Sequence, residues 1–225
     1  MIELSEILSA SILFLWVLIL VLFITRRLYV YMRSRGLEHN VAIYYNRKII
    51  HILAGGLCAI SVPILFRTPL IPFIFALALA LLTYIPHRVG RLMYWFQVEE
   101  NSYETSFCIM WGVVISVGWL LSNGNFWIGI LPVLFMSIGD AVTGIVRNKL
   151  YGRRTKSWWG NLAMAILSIP LGAILGLAGA IAGVAASIVE HFEFKFIDDN
   201  VSIPLVSLII LLIANVYAPW MIYVW

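Results

Sequence analysis

The chain has 225 residues, 62% of them hydrophobic and only 12% charged, with a mean hydropathy of +0.97 and a formal net charge of +4. That balance lies far outside soluble globular domains and leaves no room for a separate water-soluble domain. A hydrocarbon core about 30 Å thick takes roughly 20 apolar residues per helix, so the chain supplies about seven or eight spans in one integral membrane domain.

A first helix is predicted from about Ile7 to Ile24. It lacks a basic segment before it and is followed by arginines, the pattern of a retained helix rather than a cleaved leader. A basic loop carrying Arg26, Arg27, Arg33 and Arg35 is expected up to Lys48, so that residues 1–43 form a peripheral helix and arm. Helix 2 then runs to about Phe66, "FRTP" turns into helix 3, and helix 3 ends near "YIPHR". A polar loop is expected from Pro86 to Glu104. Thr105 to Gly139 carries no charge and is too long for one helix, and "SNGN" supplies the turn between helices 4 and 5. Ser157 to Val189 is likewise uncharged and is expected to split into helices 6 and 7 near Gly172 to Gly176. Helix 8 starts at about Ile203, capped by Ser202 or Asn200. Cys58 and Cys108 lie in apolar runs and read as small buried hydrophobes. Trp95, Trp158, Trp159, Trp220 and Trp225 read as an interfacial belt. The expected fold is all-α, a polytopic bundle of transmembrane helices.

Charge divides the loops into two classes. Of the fifteen Lys and Arg, all but Arg67 fall in the loops after helices 1, 3, 5 and 7, together with all four histidines. The positive-inside rule makes that face cytoplasmic and puts both termini outside. One chemically loaded face suits a catalyst at the membrane surface better than a transporter with a polar path to mid-bilayer.

Three stretches carry candidate chemistry. Asp140 lies in the last part of an apolar helix, where an ionisable group is retained for a partner or a task. Gly144 lies one turn later on its face and Arg147 or Asn148 two turns later, so an acid is followed by a bare patch and then bases that suit phosphate. The P-loop pattern is absent. The segment after helix 7 crowds Glu190, Glu193, Asp198, Asp199 and Asn200. Asp140, Asp198, Asp199 and Glu190 are candidate ligands for Mg²⁺, a hard cation that takes one or two carboxylates and completes its shell with water and phosphate. Helix capping is the competing reading for the acids before helix 8. In "YYNRKIIHILAGG", Arg47, Lys48 and His51 cluster at the start of helix 2, either as topogenic bases or as part of a site.

The motifs "RKIIH", "GDAVTGIVRNKLYGRRTKSWWGN" and "ASIVEHFEFKFIDDNVSIPL" resemble, in order and spacing, those of the membrane polyprenol kinases. That family includes dolichol kinase, phytol kinase and archaeal relatives acting on geranylgeraniol. The resemblance covers residues 44–210 and implies a kinase-like catalytic bundle there. It implies that Gly139, Asp140, Gly144, Lys156, Glu190, Asp199 and Asn200 handle nucleotide, metal and catalysis, with Arg47, Lys48 and His51 as the first motif. Asp140, Asp199 and His51 are then the expected catalytic residues, and Lys149, Arg153, Arg154 and Lys156 the expected phosphate ligands. The implied reaction moves the terminal phosphate of CTP, or of ATP, to the hydroxyl of a long isoprenoid alcohol with Mg²⁺. One departure stands out: the relatives carry Glu-Gly after Lys-Ser, and this chain has Trp159-Gly160-Asn161. A CTP-dependent cytidylyltransferase is the nearest alternative, but its Lys-Asp and Pro-Gly-His signature is missing from "ANVYAPWMIYVW". A membrane transporter is the non-enzymatic alternative.

Overall fold

The computed structural model describes residues 3–152, 156–192 and 198–223. Among these residues there are eight helices: α1 (Leu4–Ser34), α2 (His39–Leu65), α3 (Leu70–Arg88), α4 (Tyr103–Leu121), α5 (Trp127–Tyr151), α6 (Trp158–Ala173), α7 (Leu177–Val189) and α8 (Asp199–Tyr217). Six are long and apolar enough to cross a membrane, whereas α6 and α7 are shorter, at 16 and 13 residues. α5 is the central helix, with 83% of its most apolar window buried. The all-helical architecture and the division between α6 and α7 agree with the charge-free spacing.

Two expected loops depart from the expectation. The basic arm is helical almost throughout: α1 runs on to Ser34, Gly36 turns the chain at φ +85°, and α2 begins at His39. No glycine or proline interrupts residues 20–34 or 39–50, so nothing in the chain stops either helix at the membrane boundary. The segment 89–102 has no helix but is not wholly solvated: Trp95, Phe96 and Gln97 turn inward and are buried, whereas Arg91, Glu99 and Glu100 stay exposed. Trp95 is therefore a core residue rather than a belt residue. Helix 8 also starts earlier than expected, because the Asp198 carboxylate accepts the Val201 amide at 3.1 Å and takes the cap position itself.

Three helices are locally widened into π turns, at Leu20–Ile24 of α1, His51–Gly56 of α2 and Phe135–Gly139 of α5. Such turns disturb the ladder of backbone bonds, and in an apolar bundle a loosened carbonyl needs another donor. In α1 and α2 indoles supply it: Trp95 Nε1 donates to Val21 O at 2.8 Å, Trp16 Nε1 to Leu53 O at 2.9 Å and Trp111 Nε1 to Gly55 O at 2.9 Å; in α5 the Thr143 hydroxyl donates to Gly139 O at 2.9 Å. Trp111→Phe keeps most of the apolar contact but strands the Gly55 carbonyl. Its expected cost is about 1 to 3 kcal/mol, read as a lower unfolding midpoint in detergent.

The α6–α7 hairpin turns at Gly176, whose φ of +96° is open to glycine alone at low strain. A side chain on Gly172 or Gly179 would collide with the other's backbone, and one on Gly183 with the Ser168 backbone. The two helices therefore touch main chain to main chain, as small residues permit in a membrane.

Candidate active site

Polar side chains from α2, α5 and α8, from the start of α6 and from the end of α7 converge in one cluster. Asp140 follows the π turn of α5 and is buried, and Lys48 of α2 donates to its Oδ2 at 2.7 Å. Gly144 makes this approach geometrically allowed. A Cβ there would run into the Tyr44 hydroxyl and Lys48 Cε, so the bare patch one turn beyond Asp140 is filled by α2 itself. Gly139 faces the other way, toward Ser168 and Met164 of α6. Gly144→Ala meets only the far ends of flexible side chains. The protein is expected to fold with Lys48 displaced from Asp140, at an overpacking cost of about 1 to 3 kcal/mol read as a lower unfolding midpoint in detergent.

Lys156, just before α6, bridges to the far side. Its Nζ donates to Asp199 Oδ2 at 2.9 Å and Oδ1 at 3.1 Å, to Glu190 Oε1 at 3.0 Å and to the Glu190 carbonyl. Glu190 in turn accepts a two-pronged bond from Arg147, with both N–O distances 2.6 Å. Asn161 joins this pair, accepting from Arg147 Nη2 at 3.0 Å and donating to the Ser187 carbonyl and to Glu190 Oε2. Gly160 leaves the space that the Arg147 side chain occupies. The acid facing Arg147 is Glu190 at the end of α7, and the Asn161 amide completes the shell without adding charge.

One carboxylate oxygen from each of Asp140, Glu190 and Asp199 falls within 4.8 Å of the others. A set of three hard oxygen donors at that separation suits Mg²⁺. Asp198 is not among them. Ser106 Oγ donates to its Oδ2 at 2.5 Å and the Val201 amide to its Oδ1, while burial pushes its carboxyl above the usual carboxylate range. Capping accounts for Asp198, as the competing reading had it. Asn200 donates to the Tyr103 carbonyl at 2.9 Å and ties α8 to α4.

His51 sits at the inner margin of the cluster. Its Nδ1 is 3.7 Å from Asp140 Oδ2, beyond hydrogen-bonding distance, and has no hydrogen-bond partner, while its ring stacks on Phe107 at 4.1 Å. Arg47 holds Glu104 at 3.2 Å, and Glu104 also binds His87 at 2.6 Å and Gln97 at 2.7 Å. Lys149 is exposed at the end of α5 and does not reach the cluster. Arg153, Arg154 and Glu193 lie outside the described residues.

A cavity of about 390 Å³ joins these groups to an apolar trench. Asp140, Lys48, Arg47, Lys156, Glu190 and Asp199 line its polar end, His51 and Phe107 its waist, and residues of α1 to α4 the rest. Asn161, Tyr44 and Phe107 were not legible as site residues from local sequence, because each is defined by what faces it from another helix. No protein-family model, curated protein or solved structure matches this chain.

Proposed function

We propose that the protein is a Mg²⁺-dependent lipid kinase that transfers the terminal phosphate of a nucleoside triphosphate, CTP or ATP, to the hydroxyl of a long-chain isoprenoid alcohol. The observation that carries this reading is the single cavity with two chemistries, a charged cluster at one end and a hydrocarbon-lined trench at the other. A membrane-dissolved alcohol and a water-borne triphosphate meet only where such surfaces join. The order of the polyprenol kinase-like motifs supports the same conclusion.

In the proposed topology all eight helices cross, both termini are outside and the charged helix ends face the cytoplasm, as the placement of Lys and Arg requires. At about 24 and 20 Å, α6 and α7 are short against a core of about 30 Å and are matched by local thinning of the bilayer.

Asp140 and Asp199, with Glu190 nearby, would hold Mg²⁺, which when bound would supply charge neutralisation for the triphosphate. Lys48 and Lys156, each already placed against one of those acids, turn part of their donor capacity to the phosphates, with Arg47 beside them. The alcohol tail lies in the trench and its hydroxyl stops at the waist beside His51. The hydroxyl oxygen attacks the terminal phosphorus, the bond to the bridging oxygen breaks, and the nucleoside diphosphate leaves. The hydroxyl proton passes to a carboxylate of the Asp140 and Asp199 pair. Glu190, saturated by Arg147 and Lys156, anchors the cluster.

The test is purified protein in lipid vesicles with terminally labelled CTP or ATP and a panel of prenols. Label is expected in the organic phase, with nucleoside diphosphate released, and removal of Mg²⁺ by chelator is expected to abolish transfer. Release of pyrophosphate instead would identify the cytidylyltransferase reaction, and substrate flux without nucleotide turnover a transporter.

A further inference from the structure

Within the trench, α1 and α2 lie antiparallel, pinned at three levels. Asn46 Nδ2 donates to Thr25 O, Trp16 Nε1 to Leu53 O, and the Arg67 amide to Glu6 Oε1. The lining residues of α2 recur at helical spacing from His51 through Ala54, Cys58 and Val62 to Phe66, all on one face. Phe14, Val17 and Ala10 line the opposite wall on α1. From His51 to Leu65 α2, shortened a little by its π turn, rises about 20 Å, and Phe66 in extended backbone brings the wall to about 22 Å. At the far end the lining residues Ala10, Val62 and Phe66 are buried, and next to them Glu6 binds the Arg67 amide and Glu3 its exposed guanidinium at 2.8 Å. Phe14 and Phe75 close the side wall edge to face at 5.1 Å. Nearer the charged end the lining includes Leu22 of α1 and Leu82 of α3, both exposed, which leaves a lateral gap toward lipid.

Resting on the kinase reading, we propose that the trench is a length-selective sleeve for the alcohol's tail. The tail enters between Leu22 and Leu82, and Ala10, Val62 and Phe66 set the longest tail that is housed. Carbon–carbon bonds of about 1.5 Å advance an extended chain about 1.25 Å each, so 22 Å takes about four isoprene units. Longer prenols must thread back out through the gap and lose contact with the walls.

The test has an activity arm and a binding arm. In vesicles the intact protein is expected to prefer geranylgeraniol to the longer solanesol by about tenfold or more in kcat/KM. Ala10→Phe, which fills the closed end, is expected to shift preference from geranylgeraniol to the shorter farnesol, and Phe66→Ala to raise the rate with solanesol relative to geranylgeraniol. For binding, a geranylgeraniol analogue bearing a diazirine at its tail is photolysed with the protein and the labelled peptides are mapped. Insertion at Ala10, Val62 or Phe66 is expected. Such insertion without phosphorylation of any prenol supports the sleeve and overturns the kinase reading. Equal rates for all three alcohols, or labelling confined to outward-facing residues such as Ile7 and Ile64, overturns the sleeve and leaves the kinase reading standing.

Discussion

Asp140→Asn and Asp199→Asn are each expected to lower kcat/KM for phosphate transfer by about a thousandfold or more, while the folded protein is still recovered from membranes. Both changes keep the side-chain shape and one hydrogen-bond acceptor, so Lys48 and Lys156 retain a partner. What is lost is the negative charge that would hold the cation and take the alcohol's proton, and stabilisation of that kind is worth about 3 to 4 kcal/mol in a dry, organised site. Asp198→Asn is the internal comparison. Its carboxylate caps α8 and faces Ser106, so the substitution is expected to cost about 1 kcal/mol or less of stability and to leave transfer within a fewfold of normal. Near-normal rates in folded Asp140→Asn and Asp199→Asn would reject both assignments, and a collapse of activity in Asp198→Asn alone would exchange the roles of the two neighbouring acids.

The Arg147–Glu190 pair carries the largest expected effect on stability. Glu190 is 1% exposed and Arg147 5%, and each joins a different region of the chain, the end of α5 and the end of α7. Bringing both charges out of water is costly, and the two-pronged geometry with Asn161 and Lys156 is what offsets that cost. Arg147→Met leaves Glu190 with only Lys156 and Asn161 as side-chain partners, so a destabilisation of about 3 to 5 kcal/mol is expected. Adding Glu190→Leu to the same protein removes the stranded charge, and the double variant is expected to be more stable than Arg147→Met alone. A cycle of unfolding midpoints in detergent measures the coupling. Additive losses would show that the pair contributes nothing as a pair, and the anchor role given to Glu190 would fall with it.

Helix number, membrane character and the one-sided distribution of charge were legible in the chain because partition between water and hydrocarbon is decided segment by segment. Asp140 was legible for the same reason: a carboxylate closing an uncharged run is conspicuous without knowing its neighbours. The helical arm and the inward turn of Trp95, Phe96 and Gln97 were not legible. Polarity marks where a segment meets water but does not say whether another helix covers it, and the buried Trp95 finds its hydrogen-bond partners in Val21 of α1 and Asn46 of α2. The same holds within the site. Asp198 and Asp199 are adjacent and chemically alike, yet one turns to Ser106 and the helix start while the other turns to Lys156. Their division of labour is set by which groups the packed helices present to each, and those groups come from positions up to 92 residues away in the chain. Local composition determines which segments enter the membrane; contacts between distant helices, governed by close packing and the need to pair every buried polar atom, determine what each charged side chain there does.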